Sequence, residues 1–120
     1  MAVNVNGIIE ILNKFNTNIK FIVKLELTKV AAKLDENNIS TVDFFIPYQL
    51  LDYKIYDKRE FVIILKQCKL EICDANIHMI FEHLSNHQKY LPGKKFFNTI
   101  ELFRNKHPEP SMIKFKDRPP

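Results

Sequence analysis

The sequence predicts an all-α fold. Six segments place apolar residues at i, i+4, i+7 or i, i+3, i+4, i+7, the spacing of one helix face. Polar breaks, Asn37-Asn38 and Ser85-Asn86, separate some of them. Glycine is scarce, with only Gly7 and Gly93, and tight hairpins want Gly or Asn at positive φ. The same scarcity excludes a glycine-rich phosphate loop.

Taken in order, Ile8, Ile11, Leu12 and Phe15 form the first stripe, and Leu27, Val30, Ala31 and Leu34 the second. Between them Ile19, Phe21, Val23, Leu25 and Leu27 alternate with Lys20, Lys24 and Glu26, a period of two that suits a strand. No partner strand is visible, so a helix is expected there too. Phe44, Tyr48 and Leu51 form the third stripe, and Pro47 inside it makes that helix start late or kink. Phe61, Ile64, Leu65 and Cys68 follow, led by Asp57 and Glu60 as an Asp-type capping box. Ile77, Ile80, Phe81 and Leu84 form the fifth stripe, with Asp74 expected as its cap. Phe96, Ile100 and Phe103 form the sixth, with Pro92 in its first turn, where the missing N–H costs nothing. The expected organisation is one helical domain over 1–105 and a tail over 106–120. That tail holds Pro108, Pro110, Pro119 and Pro120, and the apolar Met112, Ile113 and Phe115.

A chain of 120 residues that is 46% hydrophobic can bury one core and offset the entropy of ordering itself. The net charge of +4 and pI of about 9.1 suit an anionic partner without naming one, because 14 carboxylates are interspersed with 18 cations. Two cysteines do not make a disulfide scaffold. No apolar run reaches the roughly 20 residues that cross a bilayer, and the first residues do not read as a signal peptide. The expected setting is reducing and cytoplasmic, with no membrane partner.

Two stretches match at an offset of 35 residues: Lys54-Ile55-Tyr56-Asp57-Lys58-Arg59-Glu60-Phe61 with Leu65, and Lys89-Tyr90-Leu91-Pro92-Gly93-Lys94-Lys95-Phe96 with Ile100. A helix, a short linker over 69–73 and another helix separate them. The segment 57–103 thereby resembles the EF-hand pair of the calmodulin superfamily. Residues 5–45 are read as a more diverged copy: helix, linker, helix, then the loop Asp35-Glu36-Asn37-Asn38, with Ile39, Asp43 and Phe44 following. The calcium ligands are missing. A working loop has 12 residues, with oxygen ligands at positions 1, 3, 5, 9 and 12 and Gly at 6. With Glu60 twelfth, positions 1, 3, 5 and 6 are Gln49, Leu51, Tyr53 and Lys54, so Asp57 and Glu60 alone would serve. With Lys95 twelfth, position 1 is Leu84 and position 9 is Pro92, and a lysine replaces the bidentate carboxylate. Without the metal the calcium-driven opening is lost as well.

Cys68, Cys73, His78, His83 and His87 are zinc-type ligands, but their spacing is wide. His78 and His83 lie about 500° apart around one helix and share no face. Cys68 fits a core stripe, and nothing in the sequence orients a Cys–His nucleophilic pair. Lys94, Lys95, Arg104, Lys106, Lys114, Lys116 and Arg118 interleave with Phe96, Phe97 and Phe115, yet Phe96 falls on a core stripe, which weakens a nucleic-acid reading.

The expected function is therefore non-enzymatic binding. The resemblance implies a calcium-independent scaffold in a larger assembly, cytoskeletal or ciliary among them, holding a partner helix in an apolar groove without cofactor or metal. The expected partner-binding residues are Phe61, Ile64, Ile80, Phe81, Phe96, Ile100 and Phe103, with Met112, Ile113 and Phe115 in the tail. The alternative is a small basic helical protein, nucleic-acid-associated or a viral accessory.

Overall fold

The structure, a computed structural model, describes residues 5–108, with side chains described from Asn18 onward. The element order is α1 (Val5–Glu36), α2 (Thr41–Phe45), a 3₁₀ turn (Ile46–Tyr48), β1 (Ile55–Asp57), α3 (Lys58–Gln67), α4 (Asp74–Leu84), β2 (Tyr90–Pro92) and α5 (Gly93–Leu102). The fold is mostly helical, as the stripes require, with one small two-stranded ribbon added.

Several sequence expectations change. The first two stripes lie on one continuous helix of 32 residues, not on two helices joined by a linker. Asn16, Thr17 and Asn18 are polar but include neither Gly nor Pro, so nothing there stops the backbone from continuing. The period-two segment that starts at Ile19 is helical too. Its buried apolar residues, Val23 and Leu27, are one turn apart, and Glu26 beside Leu27 is buried as well. The stripe begun at Phe44 belongs to a short helix that starts early, at Thr41, under a Ser40 cap whose hydroxyl accepts from the Asp43 N–H at 3.1 Å, and Tyr48 falls in the 3₁₀ turn that follows. Pro47 then sits in the 3₁₀ turn, and Leu51 lies beyond it in a loop. Cys73 stands at the N-cap of α4 in place of Asp74, whose carboxylate pairs with Lys66 at 3.2 Å.

The capping box holds as read. Glu60 N–H donates to Asp57 Oδ1 at 2.8 Å, and Asp57 N–H donates to Glu60 Oε1 at 3.2 Å. Helix ends lean on αL residues other than glycine: Asn38, Gln49, Lys69 and Asn86 all have positive φ. α5 differs, ending at Phe103 in the right-handed region.

The ribbon is antiparallel, pairing Ile55 with Pro92, Tyr56 with Leu91 and Asp57 with Tyr90. It ties the unit α2–β1–α3 to the unit α4–β2–α5. Tyr56 and Leu91 point inward and are buried, while Ile55 and Tyr90 stay exposed. One core runs through both units and up to α1. It includes Leu27, Leu34, Phe45, Phe61, Ile80, Phe81, Phe96 and Ile100, each at most 1% exposed. α1 packs on α4 and α5, and α3 packs on α4.

Gly93 sets how closely the two units meet. It is buried, and its N–H donates to Lys54 O at 2.8 Å. A Cβ there would lie 2.1 Å from the Leu51 carbonyl oxygen, a backbone atom that cannot swing aside. Gly93→Ala is expected to cost at least about 1–3 kcal/mol. A urea midpoint equal to that of the parent would show that the ribbon seats differently.

Candidate interaction surface

The two loops beside the ribbon are where a metal would bind in a helix–loop–helix unit, and both are closed by the chain's own groups. In the first loop the Tyr56 hydroxyl accepts from Leu51 N–H at 2.7 Å and donates to Gln49 O at 2.9 Å. Burial pushes the Tyr56 phenol above its ordinary value, against the Leu51 N–H that favours the phenolate. A neutral phenol thus satisfies the loop's inward amide and carbonyl. Asp57 and Glu60, the two carboxylates with ligand potential, are engaged in the capping box. In the second loop His87 N–H donates to Glu82 O at 2.9 Å, and Gln88 N–H donates to Ser85 O at 3.1 Å. The Glu82 carboxylate pairs with both Lys58 and His87. The Lys58 hydrogen bond holds it below the usual carboxylate range despite some burial, with His87 adding to the effect.

Among the described residues no group of three or more His, Cys, Asp or Glu side chains could hold a metal ion. Cys68 is buried and Cys73 exposed, and both are free thiols. Burial pushes the Cys68 thiol up to about 12, far from nucleophilic range at neutral pH. His78 and His87 are exposed and His83 is half-buried.

The expected groove residues are placed as follows. Phe61, Ile80, Phe81, Phe96 and Ile100 are core, with α1 packed over the face of α4 and α5. Ile64 and Phe103 are half-buried against that core. Met112, Ile113 and Phe115 lie outside the described residues. The chain's own helix thus covers most of the apolar face on which a partner helix was expected.

Phe103 does reach an opening. A cleft of about 270 Å³ lies where α1 crosses the ends of α4 and α5, lined by Lys20, Val23, Lys24 and Leu27 from α1, His83 and Leu84 from α4, Thr99 from α5, and Phe103. The sequence hint was Lys20 and Lys24, one helical turn apart beside apolar Val23 and Leu27. A second cleft, of about 320 Å³, mixes Asp52, Lys94, Glu101 and His107 with Thr41 and Phe97. There Glu101 is already bound to Thr41 Oγ1 and to His107 Nδ1. Exposed apolar side chains are scattered over other faces: Phe21 and Leu25 on α1, Ile63 on α3, Leu102 on α5, and Ile55 and Tyr90 on the ribbon.

Sequence reading missed one buried constellation entirely. Asp35, in the last turn of α1, accepts from Arg104 Nε at 2.8 Å, Asn105 N–H at 2.8 Å and Lys106 N–H at 3.3 Å. Arg104 also donates from Nη1 to Thr41 Oγ1 at 3.3 Å. The chain therefore stays attached to the domain through Lys106, just past the expected boundary at 105. No helix among the described residues is long and apolar enough to cross a membrane. Comparisons with protein-family models, with curated proteins and with solved structures gave no match.

Proposed function

We propose that the chain is a calcium-independent interaction module of EF-hand-like design, non-enzymatic, which holds a protein partner in a larger assembly. The observation that carries this reading is the register of the ribbon. Counted back from Glu60 and Lys95 as twelfth loop residues, Tyr56 and Leu91 are both eighth. They face each other at the centre of the antiparallel pairing. Equivalent residues of two related units meet in this way when a local two-fold relates the units. Phe61 and Phe96, equivalent at the same offset, also meet, with ring centroids 5.1 Å apart.

The loops support calcium independence on chemical grounds. Neither twelfth position offers a free carboxylate, because Glu60 is engaged in the capping box and Lys95 is a cation; Leu51, Leu84 and Pro92 offer no side-chain oxygen, and the Tyr56 hydroxyl already serves the first loop. A calcium titration by calorimetry is expected to give no saturable heat at micromolar calcium. A saturable signal there would overturn the ligand count. The module reading itself is tested by purifying the chain from its native source. A stoichiometric protein partner is expected, and a free monomer with no stable partner would sink the reading.

A further inference from the structure

We infer that the cleft at the α1–α4–α5 junction is the partner-binding site, and that it takes a bulky apolar side chain from an acidic peptide segment. This rests on the module reading above and names the partner's chemistry. The floor is apolar, made by Val23, Leu27, Leu84 and Phe103. The rim carries the cationic Lys20 and Lys24 on one side and the imidazole of His83 on the other. Among the described residues no carboxylate lines the cleft. Among the described residues Lys20, Lys24 and Lys95 have no ion-pair partner, although the chain pairs Lys29, Lys58 and Lys66 elsewhere.

His83 marks how these cations converge. It is held below its ordinary value first by burial, then by the charges of Lys20, His87 and Lys95. His87 is already paired with Glu82, which leaves the lysines uncompensated. Like charges gathered over an apolar floor lose part of their hydration without gaining a counter-ion, and an arriving carboxylate relieves that. Size argues for a peptide anchor. A volume of about 270 Å³ lies just below the usual range of small-molecule pockets and suits one buried side chain with its charged neighbours on the rim. It is too small for a whole helix, whose natural seat α1 already fills.

The test uses the full chain and a short fluorescein-labelled peptide carrying Leu and Phe flanked by Asp and Glu. The expected result is saturable binding that weakens with salt. Amide NMR shifts should cluster at Val23, Lys24, His83, Thr99 and Phe103. The double variant Lys20→Glu with Lys24→Glu alters exposed residues only, so circular dichroism should be unchanged. It should bind the acidic peptide about tenfold more weakly and a lysine-flanked version of the peptide more tightly. Equal binding by the double variant, or shifts clustered elsewhere, would overturn the site. So would shifts induced at the cleft by laurate but not by the peptide, which would make it a lipid site. If a native partner is retained equally by parent and double variant, the module reading survives and this site does not. If the peptide binds as expected to a chain that retains no native partner, the cleft stands and the assembly reading fails.

Discussion

Phe96→Ala should destabilise the fold by about 3–5 kcal/mol, the usual cost of deleting a fully buried ring. Phe96 is 1% exposed and is the point where the two helix–loop–helix units interlock. Its ring meets Phe45 of α2 edge-on at 5.4 Å and Phe61 of α3 at 5.1 Å, and it lies 6.2 Å from Phe97. Each edge-on pair contributes about 0.5–1.5 kcal/mol beyond the area it buries. The cavity left by alanine would be walled by helices from both units, none of which can collapse into it without breaking the ribbon register. A domain has about 5–15 kcal/mol in total, so this one change consumes much of it. Thermal and urea unfolding should both show the loss. Ile63→Ala, on the exposed side of α3, is the control and should stay within about 0.5 kcal/mol. A loss below about 1 kcal/mol for Phe96→Ala would mean that the two units do not share this core.

What the sequence could and could not reveal follows from the range of the interactions. The capping box at Asp57 and Glu60 is local, three residues wide, and was legible. So were the core stripes of α3, α4 and α5, because periodicity alone selects Phe61, Ile80, Phe96 and Ile100 for the interior. The continuity of α1 was obscured by two superposed patterns. Its apolar positions satisfy a helix, while the lysines between Ile19 and Leu27 mimic a strand. The ribbon was not expected, because three-residue strands carry no usable alternation and the central partners, Tyr56 and Leu91, lie 35 residues apart, with no hairpin turn between them. Pro47 was read correctly as a disturbance, but its effect was to tighten the helix end into a 3₁₀ turn, not to delay the start. The groove residues were the right apolar residues in the wrong role. A stripe gives the face a residue occupies and says nothing of which helix covers it, and here α1 does. The cleft depends on three helices meeting, and a one-dimensional pattern cannot report that.

The Asp35–Arg104 pair was the least legible element, spanning 69 residues, and it supports the other large effect. The carboxylate sits in the last turn of α1, where the helix dipole disfavours negative charge, so its position is retained by its partners. The Arg104 side chain is fully buried, and among the described residues its Nη2 has no hydrogen-bond partner. Removing the acid therefore leaves the buried guanidinium only Glu101, 4.0 Å from Nη1, as a counter-charge. Asp35→Ala should cost about 3–5 kcal/mol, while Asp35→Leu combined with Arg104→Met should recover the part due to the uncompensated guanidinium, leaving only the loss of the acceptor for the Asn105 and Lys106 amides. Burial by itself would raise the Asp35 pKa. The amide of Asn105, the Arg104 hydrogen bond, the amide of Lys106 and the Arg104 charge together hold it below its ordinary 3.8. A carboxyl whose folded value is depressed contributes stability that is fully present above 3.8 and is lost as pH falls through the lower folded value. Glu82, also lowered, acts in the same sense. The acid limb of stability against pH should thus flatten in Asp35→Ala while keeping the part due to Glu82. A limb that stays as steep, or a single variant as stable as the double, would show that this pair does not hold the end of α1 to the segment after α5.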